Sequence, residues 1–196
     1  MALPFAAQIR TPRLAAIPAE RLCVALMPDT PPRSALSVCV ARFAAAGRAI
    51  APANIHMTLV FLGAVPIARR TVAARCLREA RIEAFDLCLD QLGHFAGSAI
   101  LWVGMQTPPP ALISAQRRLA AGLRGAGFDL EARRFRPHVS LMRDCNNLDA
   151  GVVAGPMAID WPAREIALVR SHPARGGSRY EVIESVSLGR FANGQG

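Results

Sequence analysis

The sequence predicts an α+β fold built from two similar units, and three observations carry that prediction. Two short β-prone runs echo each other, His56-Met57-Thr58-Leu59-Val60-Phe61-Leu62-Gly63 and Arg136-Pro137-His138-Val139-Ser140-Leu141-Met142-Arg143. Each follows the same series of a strand, a proline-rich turn and a helix, and VALMPDTPPRSAL (24–36) parallels VGMQTPPPAL (103–112). The spacings agree as well: Leu22 to His56 is 34 positions and Leu101 to His138 is 37. Such self-similarity marks an internal pseudo-repeat. If the two units pack about a pseudo-two-fold axis, the two His strands meet at its centre although they lie 82 positions apart.

Taken in order, residues 1–20 hold Pro4, Pro12 and Pro18 among arginines, which makes a poor secretory signal and reads as an irregular extension. RLCVALM (21–27) is a buried strand, broken by the prolines of 28–32. Leu36, Cys39, Val40 and Phe43 recur at helical spacing, so 34–46 is a helix with Gly47 at its end. The first His strand covers 55–62. Pro66 suits a first helical position, and a helix to about Arg81 buries Val72, Cys76, Leu77 and Ala80. Residues 85–89 alternate as a one-sided strand, and ILWVGM (100–105) is another. A helix to about Arg124 aligns Leu112, Ala115, Leu119 and Leu123, with Gly125 and Gly127 beyond it. The second His strand is 137–142, 146–161 reads as a loop, and 165–171 with 179–188 form a hairpin across the turn HPARGGS (172–178). Residues 191–196 make a loose tail. The expected organisation is therefore an extension (1–20), one two-unit domain (21–190) and a tail (191–196).

Composition sets bounds on function. The chain has 196 residues, is 52% hydrophobic and 19% charged, and carries a formal charge of +9. That suffices for a substantial core. Every cation of the Lys/Arg class is Arg, whose fork matches phosphate oxygens, and the sign of the charge points to an anionic partner. The five cysteines are scattered, without a C-x-x-C, which argues against a disulfide framework and for a reducing compartment, the cytoplasm. No apolar run approaches the length of a membrane-spanning helix, so no membrane role is expected.

The two echoing runs carry the chemistry. In a strand the side-chain period is 2, so His56 and Thr58 share one face, as do His138 and Ser140. Two such strands facing one cleft supply an acid, a base and two hydroxyl donors, equipment suited to a phosphate ester. A zinc site would need a third ligand, and neither run contains one; Asp144 and Cys145 fall past the second strand's end. There is no G-x-S-x-G and no Walker motif. Arg133, Arg134, Arg136 and Arg143 surround the second His. Arg143 lies five positions after His138, an odd offset that reaches the same face only if the strand ends or bulges first. His94 and His172 fall in expected turns and read as surface residues.

The paired pattern, P-x-N-x-H-x-T-L-x-F-L-G at 52–63 and R-P-H-x-S-L-x-R at 136–143, resembles the two-histidine (2H) phosphoesterase superfamily. Within it, the pattern is nearest to the LigT-like RNA 2',3'-cyclic phosphodiesterases of the 2'-5' RNA ligase family. The resemblance spans about 21–188. It implies two pseudo-symmetric α/β lobes, each with an antiparallel sheet, around a central cleft. It also implies metal-independent, cofactor-free hydrolysis of a 2',3'-cyclic phosphate to a 2'-phosphate, with reversible 2'-5' RNA ligation as a related activity. His56 and His138 are then the acid and base. The assignment taken here is His138 as base and His56 as acid, roles that exchange in the ligation direction. Thr58, Ser140 and Arg143 would hold the phosphate, and Phe95 or Tyr180 would stack on a base or line the cleft. The expected partners are RNA ends or nucleotides with a 2',3'-cyclic phosphate, met by a monomer. Two alternatives stay open on the residues: a phosphoesterase for a small cyclic phosphate such as an ADP-ribose derivative, and a non-catalytic RNA-binding module.

Overall fold

A computed structural model describes residues 17–146, 148, 157–174 and 177–189. Its elements are β1 (Ala19–Leu26), α1 (Thr30–Ala41), β2 (Arg48–Ala49), β3 (Met57–Pro66), α2 (Arg70–Glu79), β4 (Phe85–Leu89), β5 (Gln91–Phe95), β6 (Ile100–Gly104), α3 (Pro110–Gly125), β7 (His138–Arg143), β8 (Ile159–Ala163), β9 (Glu165–Ala174) and β10 (Gly177–Ser187). The main sheet runs β10-β9-β1-β3-β7-β6-β5, with β2 on β7, and its strand pairs are antiparallel. In each half the strand before the proline-rich turn pairs with the His strand, β1 with β3 and β6 with β7. The halves join through the register pair Met57 with Val139 and through β2 on β7, Arg48 with Arg143 and Ala49 with Met142. This is the α+β, antiparallel architecture expected.

β1 shows why the sheet has a helix face and a cleft face. Leu22 to Leu26 are all buried, as in a strand covered on both sides. Leu22, Val24 and Leu26 join the main core with Leu36 of α1, Leu77 of α2 and Leu119 of α3. Cys23 and Ala25 point the other way and join a small cluster with Ala167 and Val169, against which Phe61 and Tyr180 pack. The helices thus cover one face, and small side chains floor the other. Prolines begin α1 and α3, where the first turn leaves N–H groups unpaired anyway.

Several expectations need correction. The helix expected at 34–46 begins at Thr30 and ends at Ala41, followed by isolated turns. Gly47 is not its cap: a Cβ there would lie 2.5 Å from the Arg143 carbonyl, so the glycine allows close approach to β7. β1 starts at Ala19, inside the stretch expected as extension. His94 lies in β5 and His172 in β9, not in turns. The loop expected over 146–161 ends in β8, which pairs with β4 as a separate two-stranded sheet. Ile159, Trp161 and Ala163 are buried while Asp160 and Pro162 are exposed. A proline is tolerated there because a two-stranded sheet leaves one edge of each strand unpaired. The extension to residue 16, the tail from 191 and most of 147–156 lie outside the described residues.

Candidate active site

His56 follows a short 3-10 turn, Pro52–Asn54, and enters β3; His138 opens β7. Burial alternates in both runs: Ile55, Met57 and Leu59 are buried around half-buried His56 and Thr58, and Val139 and Leu141 around half-buried His138 and Ser140. The apolar residues anchor each strand in the core and turn the polar ones toward a cleft of about 580 Å³. His56, Thr58, His138, Ser140, Arg143 and Tyr180 all line it.

The two imidazoles are held in the same way. Nδ1 of His56 lies 2.7 Å from the Asn54 carbonyl, and Nδ1 of His138 lies 2.7 Å from the Arg136 carbonyl. A carbonyl only accepts, so each Nδ1 carries the proton, and each Nε2 is left as the exchangeable nitrogen. An aromatic ring backs each. Tyr180 lies 4.3 Å from the His56 ring, and Phe95 meets His138 edge-on at 5.0 Å. Trp102 packs behind Phe95 at 5.1 Å. Its indole fits only because residue 93 is glycine, where a Cβ would come within 2.1 Å of the ring.

Charge and burial act together on these rings. Burial lowers the pKa of His56 below the usual 6.5, opposed by the Asn54 carbonyl and reinforced by the positive charges of His138 and Arg143. Burial likewise lowers His138, opposed by the Arg136 carbonyl and reinforced by Arg133. Both imidazoles are therefore pushed toward the neutral form until an anion arrives. Beneath Thr58, burial drives the Cys23 thiol up to about 12, with a hydrogen bond to Thr58 opposing. That thiol is no nucleophile near neutral pH.

Arg143 reaches the cleft by a bulge. In the β6–β7 register Trp102 pairs with Ser140 but Leu101 with Met142, so Leu141 is an extra residue. It inverts the parity of the strand and brings Arg143 to the His138 face. β3 has the same device: Ala25 pairs with Thr58 and Val24 with Val60, so Leu59 is extra. Phe61, five positions after His56, is thereby the counterpart of Arg143 and borders the same region. Sequence reasoning passed over Phe61, although the matching offset was its signal. It also passed over the side chain of Asn54. Nδ2 of Asn54 donates to the Ser178 carbonyl at 3.0 Å, and Oδ1 accepts from the Tyr180 N–H at 3.1 Å. One residue thus ties β10, with the Tyr180 ring, to the turn that holds His56. Phe95 lies outside the 580 Å³ cleft and lines an adjoining groove that also touches Thr58 and His138.

Among the described residues no three His, Cys, Asp or Glu side chains cluster as metal ligands. The site is instead a pair of imidazoles, two hydroxyls and a guanidinium, a set that fits a phosphate held between two proton-transfer groups.

Comparison with known proteins agrees with this class of site. Residues 31–175 match the family model of the 2'-5' RNA ligase superfamily. An RNA 2',3'-cyclic phosphodiesterase of Escherichia coli is 32% identical over 73% of this chain and 81% of its own. One of Thermus thermophilus is 33% identical over 71% and 74%. The crystal structure of E. coli LigT superposes with a TM-score of 0.78 at 29% identity, covering 88% of this chain and 99% of that one. The same protein complexed with 3'-AMP gives 0.75 at 29% identity, covering 87% and 98%. The chain belongs to the 2'-5' RNA ligase superfamily.

Proposed function

We propose that this protein hydrolyses the 2',3'-cyclic phosphate of RNA ends or nucleotides to a 2'-phosphate, without a metal. The observation that carries the reading is the matched pair of imidazoles. Each has Nδ1 fixed by a backbone carbonyl two residues back, and each has a hydroxyl two residues on at the same cleft. Two relatives named as RNA 2',3'-cyclic phosphodiesterases and a LigT relative that binds 3'-AMP support it.

In this reading the cyclic phosphate sits between the two rings. A neutral Nε2 removes a proton from water as its oxygen forms a bond to phosphorus. The bond from phosphorus to the ribose 3'-oxygen breaks, and the other imidazole, protonated, gives its proton to that oxygen. Neither ring is strongly basic in the free protein, so the anionic phosphate itself raises the pKa of the imidazole that becomes the acid. Thr58, Ser140 and Arg143 stabilise the non-bridging oxygens as their charge grows. Pseudo-symmetry leaves the two His interchangeable, and the assignment of His138 as base and His56 as acid is retained. With a ribose 5'-hydroxyl in place of water, the same sequence joins two RNA ends through a 2',5' linkage, the base taking the 5'-hydroxyl proton and the acid giving its proton to the 3'-oxygen; acid and base exchange only in the reverse reaction, cleavage of that linkage.

The acting unit is one bilobal domain over residues 21–190, working as a monomer. All five cysteines are free, which supports a reducing compartment such as the cytoplasm. No described helix is long and apolar enough to cross a membrane. The test is product analysis on an RNA ending in a 2',3'-cyclic phosphate, in excess chelator. The expected product is the 2'-phosphate alone. An unreacted end, a 3'-phosphate product, or activity restored only by one divalent metal overturns the reading.

A further inference from the structure

We propose that Trp102 is a positioning residue for His138: seated over two glycines, its indole braces Phe95 against the imidazole and shields that face of the ring from water. The inference rests on the function proposed above. Register sets the two halves apart at this point. Ser140 pairs with Trp102 across β6 and β7, whereas Thr58 pairs with Ala25 across β1 and β3. Matching positions thus hold an indole in one half and a fully buried methyl in the other. Cross-strand partners share a face, so Trp102 lies on the cleft face with Ser140 and with Gly93, its partner on β5.

Two glycines make the seat. A Cβ at Gly93 would lie 2.1 Å from the indole, and one at Gly104 would lie 3.0 Å from it. Gly104 is also the register partner of His138. Glycine inside a strand weakens it and packs nothing, so two on one face mark a close approach. From this seat the indole meets Phe95 at 5.1 Å, and Phe95 meets His138 edge-on at 5.0 Å; the indole itself lies 6.2 Å from the imidazole. Three rings thus form a chain that ends on His138. The indole Nε1 is buried without a hydrogen-bond partner among the described residues, so the breadth of the ring is what this position supplies. The bond from Nδ1 to the Arg136 carbonyl fixes one edge of the imidazole, and the stack fixes its tilt about that bond. His56 shares the carbonyl clasp, but its backing is Tyr180 of β10 at 4.3 Å.

The experiment titrates both imidazoles by NMR in histidine-labelled protein, and measures kcat and KM on adenosine 2',3'-cyclic phosphate across pH. Wild type is set against Trp102→Leu, Trp102→Phe, Gly93→Ala and Gly93→Ala with Trp102→Phe. Burial is the main cause that lowers the His138 pKa, so Trp102→Leu, which admits water, should raise it toward 6.5. The charges that also act there, Arg133 and, across the cleft, His56, stay in place. The pKa of His56 should not rise with it. In Trp102→Leu kcat should fall about ten-fold with KM little changed, since a misplacement of ~1 Å costs up to about 10²-fold. Trp102→Phe, which strands no donor, should recover part of the rate. Gly93→Ala drives the indole from its seat and should lower kcat and shift the His138 titration. Adding Trp102→Phe to it makes room and should raise kcat above that of Gly93→Ala alone, a rescue that simple loss of packing would not give. A His138 that titrates in Trp102→Leu as in wild type overturns the proposal, as does an equal rise at His56. If Trp102→Leu does not fold, the Gly93→Ala titration and its rescue decide by the same criteria. If wild type does not turn over the substrate, the hydrolytic reading falls, and the titrations alone decide whether Trp102 positions His138.

Discussion

At the scale of the residue, the two imidazoles are alike in what holds them and in what lowers their pKa. Burial is the main cause at both, so both sit below 6.5 in the free protein. Catalysis requires one ring protonated and one neutral. That state is most populated midway between the two pKa values, and lowering both moves the midpoint to lower pH. The profile of kcat/KM should therefore be a bell with its optimum below about 6.5. The profile of kcat should be displaced upward, because a bound phosphate anion raises both values. Measuring rate against pH at low and saturating substrate checks this, and a kcat/KM optimum above about pH 7 would contradict it. The hydroxyls act differently. Thr58→Ala and Ser140→Ala each remove one donor of several, and should cost on the order of 10- to 10³-fold in kcat. Their pH optimum should stay in place, which steady-state kinetics across pH will show.

At the scale of the element, the bulges in β3 and β7 matter most. Without the extra Leu141, the period of 2 would turn Arg143 from the His138 face. The two His-x-hydroxyl motifs were legible because they need only that period within one strand. The bulges were not, because a bulge is a property of register against a neighbour, here β6 and β1. His94 and His172 were misread for a related reason. Pro173 reads locally as a turn residue, yet it lies in β9 opposite Ser178 of β10, and His94 sits in β5 beside Gly93, which admits the Trp102 indole. Asn54 shows the same limit: its partners on β10 are more than 120 positions away. Asn54→Ala should leave the Ser178 carbonyl and the Tyr180 N–H unpaired, at a cost of about 1–3 kcal/mol. The freed Tyr180 ring should no longer pin His56, so kcat should fall about ten-fold and the limb of the pH profile due to His56 should shift. Thermal melts with pH-rate profiles test this, and Asn54→Asp, which keeps the acceptor for Tyr180, should restore part of the rate.

At the scale of the molecule, the helices and the site lie on opposite faces of one sheet. The strand–turn–helix–His-strand repeat was readable because each unit carries its own proline punctuation and helical period. The joining of the halves into one sheet by the Met57–Val139 pair and by the two-residue β2 on β7 was not, since such short pairings leave no pattern in either strand. The small β4–β8 sheet was missed although β8 alternates as β4 does, because its pairing joins two short runs far apart in the chain. Stability and catalysis should then separate. Trp161, 2% exposed on β8, belongs to the core and lies outside the cleft. Trp161→Ala should cost about 3–5 kcal/mol in chemical denaturation while kcat of the folded fraction stays near wild type. A fall in kcat to match would mean that core and site are not independent.

The central claim is that His56 and His138 perform two halves of one proton transfer. Its most direct test is the single-turnover rate of His56→Ala, His138→Ala and the double variant on a saturating 2',3'-cyclic phosphate. Each single variant should lose about 10²- to 10⁴-fold with binding largely kept, and the double should be little slower than either, because an acid and a base acting together fail together. A single variant that keeps a near-wild-type rate would make that His structural and contradict the account.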